Sequence, residues 1–400
     1  MATQVLTNSE EFRISITFDV EGLDDTQLMD VTIKEIVMAE SLLTPGLQTA
    51  ITLQSFIYSV PKKNLDLFKN KIIKINMKNA AKSMDLSQTL YRLDNRKFIG
   101  SNVGKNEEYI LHACDQSLLN DAKSLVSKSW KCTSPSDIVT YVLTNCAGVP
   151  ADKLDVEKSS PNRDYIAENI HPFRVVAQQA DVALAGDDPS FVHYMTYEKL
   201  GTHKFKSLKT LAGAKSKITF KYSESGYDSG MNDNNAAIAF SFPTDFDLLS
   251  DILNGINEAG QNKNTVSTVN PVSKSASQYG NSDNGCGLGG FNYKTAVTNK
   301  GTADQQNSCD NDVESHLLKR MARMGLIERD KIALRILVPW NPDIHAGDIF
   351  TLEWKNPDTK EDIYGAGDYL VVHLTHRIGH GGVGVTSIDA VAQTVGGGVV

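Results

Sequence analysis

Two stretches of the chain keep a strict two-residue alternation of apolar and polar side chains, and this period limits the fold more than any other feature. From Lys331 onward, Ile332, Leu334, Ile336, Val338 and Trp340 fall on one side, with Lys331 and Arg335 opposite. Phe350, Leu352 and Trp354 resume the pattern after His345-Ala346-Gly347-Asp348, and Leu370, Val372, Leu374 and Ile378 after Gly365-Ala366-Gly367-Asp368. Near the start, Phe12, Ile14, Ile16, Phe18 and Val20 alternate with Arg13, Ser15, Thr17 and Asp19. Successive side chains of a strand point to opposite sheet faces, so such runs mark half-buried strands. Two strand clusters separated by helical segments predict an α+β chain, mainly β, with two barrel-like modules.

The first module has six strand candidates, around Phe12–Val20, Val31–Met38, Gln48–Ser55, Ile72–Met77, Thr89–Phe98 and Glu108–Cys114, with turns at Gly22, Pro45-Gly46, Asn79 and Gly100–Gly104. Helical spacing follows. Leu118, Leu119, Ala122, Leu125 and Val126 share one helical face, and Ile138, Val139, Val142, Leu143 and Cys146 another, opened by Ser134-Pro135-Ser136 and closed by Gly148. His171-Pro172 opens a third helix, because proline at a first turn gives up a donor that would be unpaired anyway. A hairpin is predicted from Ser190–Glu198 and Lys204–Thr210, strands at Lys217–Tyr222 and Ala236–Phe242, and helices after Thr244 and around Asn311–Ile327. Residues 257–310 are rich in Asn, Ser, Gly and Thr, with four glycines in Gly285–Gly290. That composition buries too little to offset ordering entropy, so a flexible insertion or arm is expected there.

Four hundred residues exceed one ordinary core, which favours more than one domain. The net charge of −8 lacks the basic footprint of a nucleic-acid or anionic-membrane binder. No run approaches the roughly 18 apolar residues of a membrane span, and Met1-Ala2-Thr3-Gln4 opens no secretion signal. Cys114, Cys132, Cys146, Cys286 and Cys309 include no Cys-x-x-Cys pair, so free thiols in a reducing cytoplasm are expected, with a Cys286–Cys309 bridge conceivable.

No constellation reads as an active site. His373, His376 and His380 suggest metal ligands, but an odd spacing puts His373 and His376 on opposite strand faces, whereas zinc needs convergent donors. Cys286 sits in Asn284-Gly285-Cys286-Gly287, where nothing positions a base. Gly365–Asp368 leads into a strand, and Gly100–Lys105 lacks the Ser/Thr and following helix of a phosphate loop. Asp24-Asp25, Asp187-Asp188 and Glu361-Asp362 fall in predicted loops rather than in an apolar cleft. No catalytic, cofactor or metal residue is assigned, and the chain is read as not an enzyme.

The order of elements resembles a known family. Asn169-Ile170-His171-Pro172-Phe173 opens a helical block. Pro189-Ser190-Phe191-Val192-His193-Tyr194 and Lys204-Phe205-Lys206-Ser207-Leu208 form a hairpin. Ile344-His345-Ala346-Gly347-Asp348 precedes Tyr369-Leu370-Val371-Val372-His373-Leu374-Thr375-His376 in the closing barrel. This arrangement is similar to baseplate hub proteins of contractile-tailed bacteriophages, themselves similar in fold to the amino-terminal half of type VI secretion spike proteins. The resemblance implies a first tube-like barrel over 1–115, a helical connecting region over 116–188, a second barrel over 189–256 and 311–400, and the insertion over 257–310, which has no counterpart in the family. It implies a homotrimer with pseudo-sixfold symmetry, three chains of two barrels each, joining the hexameric tail tube to the trimeric central spike and starting tube assembly. Partners would be the spike, the tail tube proteins and other baseplate proteins, with DNA only as passing genome and no cofactor. The place would be the virion's tail baseplate, assembled in the host cytoplasm. A tail-tip peptidoglycan-degrading enzyme and a carbohydrate- or receptor-binding β protein are the alternatives. The latter needs an exposed aromatic platform, whereas Trp130, Trp340 and Trp354 read as spread through the core.

Overall fold

The alternating segments form strands of one large curled sheet. The structure, a computed structural model, describes residues 14–20, 31–55, 71–97, 107–222, 236–242, 265–270, 275–280, 293–297, 320, 323, 324, 327, 334–356, 358–363 and 365–392. The first half supplies β1 (Ser15–Val20), β2 (Val31–Ser41), β3 (Gln48–Ser55), β4 (Ile72–Lys78), β5 (Ser83–Lys97) and β6 (Glu107–Cys114). A middle block follows, with α1 (Gln116–Lys123), β7 (Val126–Thr133), α2 (Pro135–Asn145), β8 (Leu154–Val156), β9 (Arg163–Ile170), α3 (Pro172–Ala180), β10 (Phe191–Thr196), β11 (Thr202–Ser207) and α4 (Leu208–Ala212). The rest contributes β12 (Ile218–Tyr222), β13 (Ala239–Ser241), β14 (Thr265–Asn270), β15 (Ser275–Gly280), β16 (Tyr293–Val297), β17 (Leu334–Pro339), β18 (Ile349–Trp354), β19 (Gly367–Gly379) and β20 (Gly384–Val391). The chain is mainly β, as its alternation predicts.

Twelve strands share one sheet, and its two halves use one wiring diagram. The first half pairs in the order β1-β4-β5-β6-β3-β2, and the second in the order β12-β18-β19-β20-β17-β13. Taken in chain order, each half joins its first strand to its fourth, then fifth, sixth, third and second. β5 and β19 each carry a bulge one pair beyond the matching point, between Leu90 and Arg92 and between Val371 and His373. One pairing differs: β1 meets β4 antiparallel, whereas β12 meets β18 parallel. A bridge from Lys221 to Ala236, just before β13, returns the second half upon β12 and closes a ring. In the first half, Ile14 N–H donates to Gly382 O in the turn between β19 and β20 at 2.9 Å, so the second half's hairpin tip meets the start of β1.

Each half buries its own core. Ile36, Met38, Ile51, Ile73, Ile75, Met77 and Leu111 fill the first with Trp340, and Phe220, Leu334, Ile336, Phe350, Tyr369, Leu374 and Ile388 the second. The halves join where the distal part of β19, from His373 to Gly379, pairs antiparallel with β2 from Ser41 back to Glu35. The middle block packs its own core from α2, α3, β10 and β11 around Val139, Val142, Val176, Phe191 and Phe205. Ser134 caps α2 and proline opens both α2 and α3, as the sequence predicts.

Several local expectations shift. Leu125 and Val126 do not continue a helix, because α1 stops at Lys123 and Val126 begins a strand of a two-stranded ribbon with β9. β10 pairs with β11, and β11 with β8 of the middle block, instead of joining the large sheet. Thr210 is helical, since Ser207 caps α4 by accepting from Thr210 N–H. The Asn- and Ser-rich stretch contains a three-stranded sheet in which β14 pairs with β15 and β16. Its Thr-Val-Ser-Thr-Val run has the β-branched content that strands favour, which overall composition hid. Arg320, Arg323 and Met324 are helical, while the helix expected after Thr244 lies outside the described residues. Cys132 is disulfide-bonded, which corrects the expectation of free thiols there, whereas Cys114 and Cys146 are free. Pairing depends on which side chains meet in space, and spacing along a chain carries no such information. Burial pushes the Cys114 thiol up to about 12, so it is no nucleophile.

Candidate functional site: the junction between the two halves

A buried polar cluster sits where the halves meet. Glu40, near the end of β2, has a fully buried side chain that three groups from two segments satisfy. Its Oε1 accepts from Tyr197 N–H at 2.7 Å, just past β10, and lies 2.9 Å from His345 Nδ1. Its Oε2 accepts from Ala346 N–H at 2.8 Å. The expected turn His345–Asp348 therefore wraps a carboxylate from the other half of the sheet. Gly347 permits this: its φ is +88°, and a Cβ there would stand 2.5 Å from Tyr194 Oη. Asp348 accepts from His345 N–H and from Lys217 Nζ, both at 2.8 Å. Glu198 then pairs with Lys204 at 2.6 Å and stands 3.7 Å from Lys217 and 3.9 Å from His345 Nε2.

Electrostatics favours the ionised form of both members of the central pair. Burial pushes the Glu40 carboxyl up, but the His345 charge and the donors around it outweigh this and leave it below its ordinary value. Burial pulls His345 down, and Glu40, Glu198 and Asp348 together raise it above its ordinary value. A buried ion pair offsets its desolvation only when its remaining hydrogen-bonding capacity is filled, and here backbone donors fill it. The arrangement locks two sheet halves and a hairpin. It is not poised for proton transfer.

A second cluster imitates a hydrolase triad. Ser117 Oγ lies 2.9 Å from His203 Nε2, and His203 Nδ1 lies 3.1 Å from His193 Nε2. In a working triad the acid orients the far ring nitrogen. Here a second imidazole sits there, while Asp115 takes the serine hydroxyl at 2.5 Å and caps α1 through Ser117 N–H at 2.8 Å. Serine and both imidazoles are buried. Burial lowers His203 to about 4 and His193 well below its ordinary value, so both are neutral near pH 7 and tie α1 to β10 and β11.

The residues singled out in the sequence do not converge. His376 is fully buried against Thr386 Oγ1 at 2.9 Å, His373 is on the opposite face, and His380 is exposed. Among the described residues no three His, Cys, Asp or Glu side chains stand together as a metal site. Asp187 is exposed and pairs with Lys209, whereas Asp188 is buried and accepts from Ser190 Oγ. Glu361 and Asp362 are exposed, and Gly365, with φ of +98°, lies in a turn that leads at Gly367 into β19. Asp24, Asp25, Gly100–Lys105 and Cys286 lie outside the described residues. Trp340 is buried and Trp130 packs between Tyr141 and Tyr165, each at 5.8 Å. A pocket of about 220 Å³ beside the junction is lined by Asp85, Tyr197, Glu198 and His345. Sequence reading missed Glu40, whose only signal was a carboxylate at an inward position of an alternating strand.

No family model matches this chain, and no curated protein matches it. Solved structures do. A tail protein from Neisseria meningitidis is similar over 96% of this chain and 98% of its own, with a TM-score of 0.53 at 11% identity. The E. coli c3393 protein, a component of the type VI secretion system with structural similarity to T4 bacteriophage tail proteins gp27 and gp5, is similar over 96% of this chain and 78% of its own. Its TM-score is 0.50 at 9% identity. At such identities the likeness is one of fold, and that fold is the one implied by the resemblance in the sequence.

Proposed function

We propose that this chain is a structural component of a contractile tail or related injection machine, and within it the baseplate hub. As a homotrimer it would join a sixfold tube to a threefold spike and template the first tube ring. The observation that carries this reading is the repeated wiring of the sheet, β1-β4-β5-β6-β3-β2 followed by β12-β18-β19-β20-β17-β13. A chain holding two equivalent units gives six of them in a threefold assembly, and a closed ring leaves no edge to grow. Fold alone assigns no function. The buried, hydrogen-bonded polar clusters favour a scaffold over catalysis, since rigid junctions suit a structural part. The domain division over 1–115, 116–188, 189–256 with 311–400, and 257–310 belongs to this proposal, except that Phe191–Ser207 pairs with β8 and packs in the middle block.

Obligate interfaces of this kind bury roughly 2,000–5,000 Å². Light scattering on the purified chain tests the reading, with a trimer mass expected. A stable monomer across micromolar concentrations, or particle images placing the chain away from the tube–spike junction, would refute it.

A further inference from the structure

One contact between the halves brings together an amine, an amide and a carboxylate. Lys82 lies in the turn between β4 and β5 of the first half, and Asn341 follows β17 of the second, 259 residues further on. Lys82 Nζ donates to Asn341 Oδ1 at 2.6 Å and stands 2.8 Å from Asp343 Oδ2. Asp343 N–H donates to the same Asn341 Oδ1 at 3.1 Å. Both donors require an oxygen, so the side-chain carbonyl of Asn341 faces the lysine and its amide nitrogen does not. That nitrogen, Nδ2, is buried with no hydrogen-bond partner among the described residues, and Asn341 as a whole is 0% exposed. A buried amide with an idle N–H₂ is a costly way to make one hydrogen bond. As a leaving group, the same nitrogen needs no anchor.

Both reacting side chains spring from fixed backbone. Asn79 Oδ1 accepts from Ala81 N–H at 3.0 Å and from Lys82 N–H at 2.7 Å, and Asn79 N–H donates to Lys82 O at 2.9 Å. Asn341 N–H donates to Thr386 Oγ1, and Trp340 N–H to Gly384 O, each at 3.0 Å. The Lys82 side chain is 16% exposed, so little water competes for its amine. Holding reacting groups within roughly 3–3.5 Å of each other turns an encounter into a single-molecule step. Pro342 closes the common rival route. An asparagine side chain is otherwise attacked by the backbone nitrogen of the next residue, and a proline nitrogen carries no hydrogen to give up.

We propose that Lys82 and Asn341 condense into an isopeptide bond that joins the two halves covalently, with Asp343 as the proton acceptor. Asp343 takes a proton from the Lys82 ammonium, and the freed Nζ lone pair attacks Asn341 Cγ. Asp343 N–H steadies the charge that gathers on Oδ1. The Cγ–Nδ2 bond then breaks. Nζ keeps one of its three protons, and the other two pass by way of Asp343 to Nδ2, which departs as ammonium. Asp343 is a carboxylate again, and no oxidant, metal or cofactor enters. The step runs once per chain and pins the β4–β5 turn to the end of β17. It does not rest on the hub reading, and either stands if the other falls.

The test digests the purified full-length chain with trypsin and reads the peptides by mass spectrometry. Expected is a branched peptide in which Asn79–Arg92, uncut after Lys82, is joined to Ile336–Lys355 and is one ammonia lighter than the two together. The branch decides, and not the intact mass, because asparagine before glycine, as at Asn254 and Asn284, also sheds ammonia. Lys82→Arg keeps the charge but offers no free amine, and Asp343→Asn removes the proton acceptor at an exposed position. Both are expected to give linear peptides alone, with far-ultraviolet circular dichroism unchanged. Linear peptides alone from the wild type would overturn the proposal. An undiminished branch in Asp343→Asn would overturn the role given to Asp343.

Discussion

Replacing Glu40 by alanine tests whether the junction is held by a satisfied buried charge. The substitution removes the acceptor of two backbone donors, Tyr197 N–H and Ala346 N–H, and strands His345 inside the protein. Each buried donor left without a partner costs about 1–3 kcal/mol, and removing one member of a buried ion pair costs about 3–5 kcal/mol in total. Because these overlap, a loss of about 3–5 kcal/mol is expected, read from urea unfolding followed by tryptophan fluorescence. Glu40→Gln keeps the shape but turns an amide N–H₂ toward a donor, so an intermediate loss is expected. The pH dependence has a defined sign. Glu40 is lowered from 4.5, so its contribution is complete above that value and fades as pH falls through its folded value. His345 is raised from 6.5, so its contribution is complete below that value and fades as pH rises through its folded value. The stability gap between wild type and Glu40→Ala should therefore be widest between pH 4.5 and 6.5. A loss below about 1 kcal/mol, or a gap that grows steadily above pH 8, would refute the argument.

Gly382 has φ of +79°, and a Cβ there would lie 2.4 Å from Ile14 O, so Gly382→Ala should part the first half's seam and cost about 1–3 kcal/mol; faster amide exchange at Ile14 checks it. Ser117→Ala should cost about 1–3 kcal/mol in denaturation midpoints through the unpaired His203, and esterase assays of wild type and variant should agree at background. His203 and His376 are both held near 4, below their ordinary 6.5, so the unfolded chain binds more protons between those values. Thermal scans should accordingly show a declining contribution from these two residues as pH falls from 6.5 to 4, and His376→Phe should remove part of that slope.

The fold class was legible because strand alternation is written directly in the side chains, and Ile36, Ile51, Leu334, Ile336 and Ile388 all face inward as their parity demands. Helix starts at Ser134 and Pro172 were legible for the same local reason. The ribbon of β7 and β9 was not, because it buries only Val126 and Ala167 and leaves no periodic signature. Nor could sequence tell that Glu40 is the junction's anchor, since one inward carboxylate in an alternating strand reads as an interruption until its three partners, up to 306 residues away, are in place.

Local chemistry in the sequence therefore settled that this chain is built mainly of half-buried strands and that helices begin at Ser134 and Pro172. Only the tertiary structure decided that the halves share one wiring. Matched positions such as Tyr91 and Val372, or Ala239 and Glu35, have no side-chain chemistry in common. A sheet's topology is carried by backbone hydrogen bonds, which are the same for every residue but proline, so equivalence between strands leaves no mark in the side chains that a sequence records.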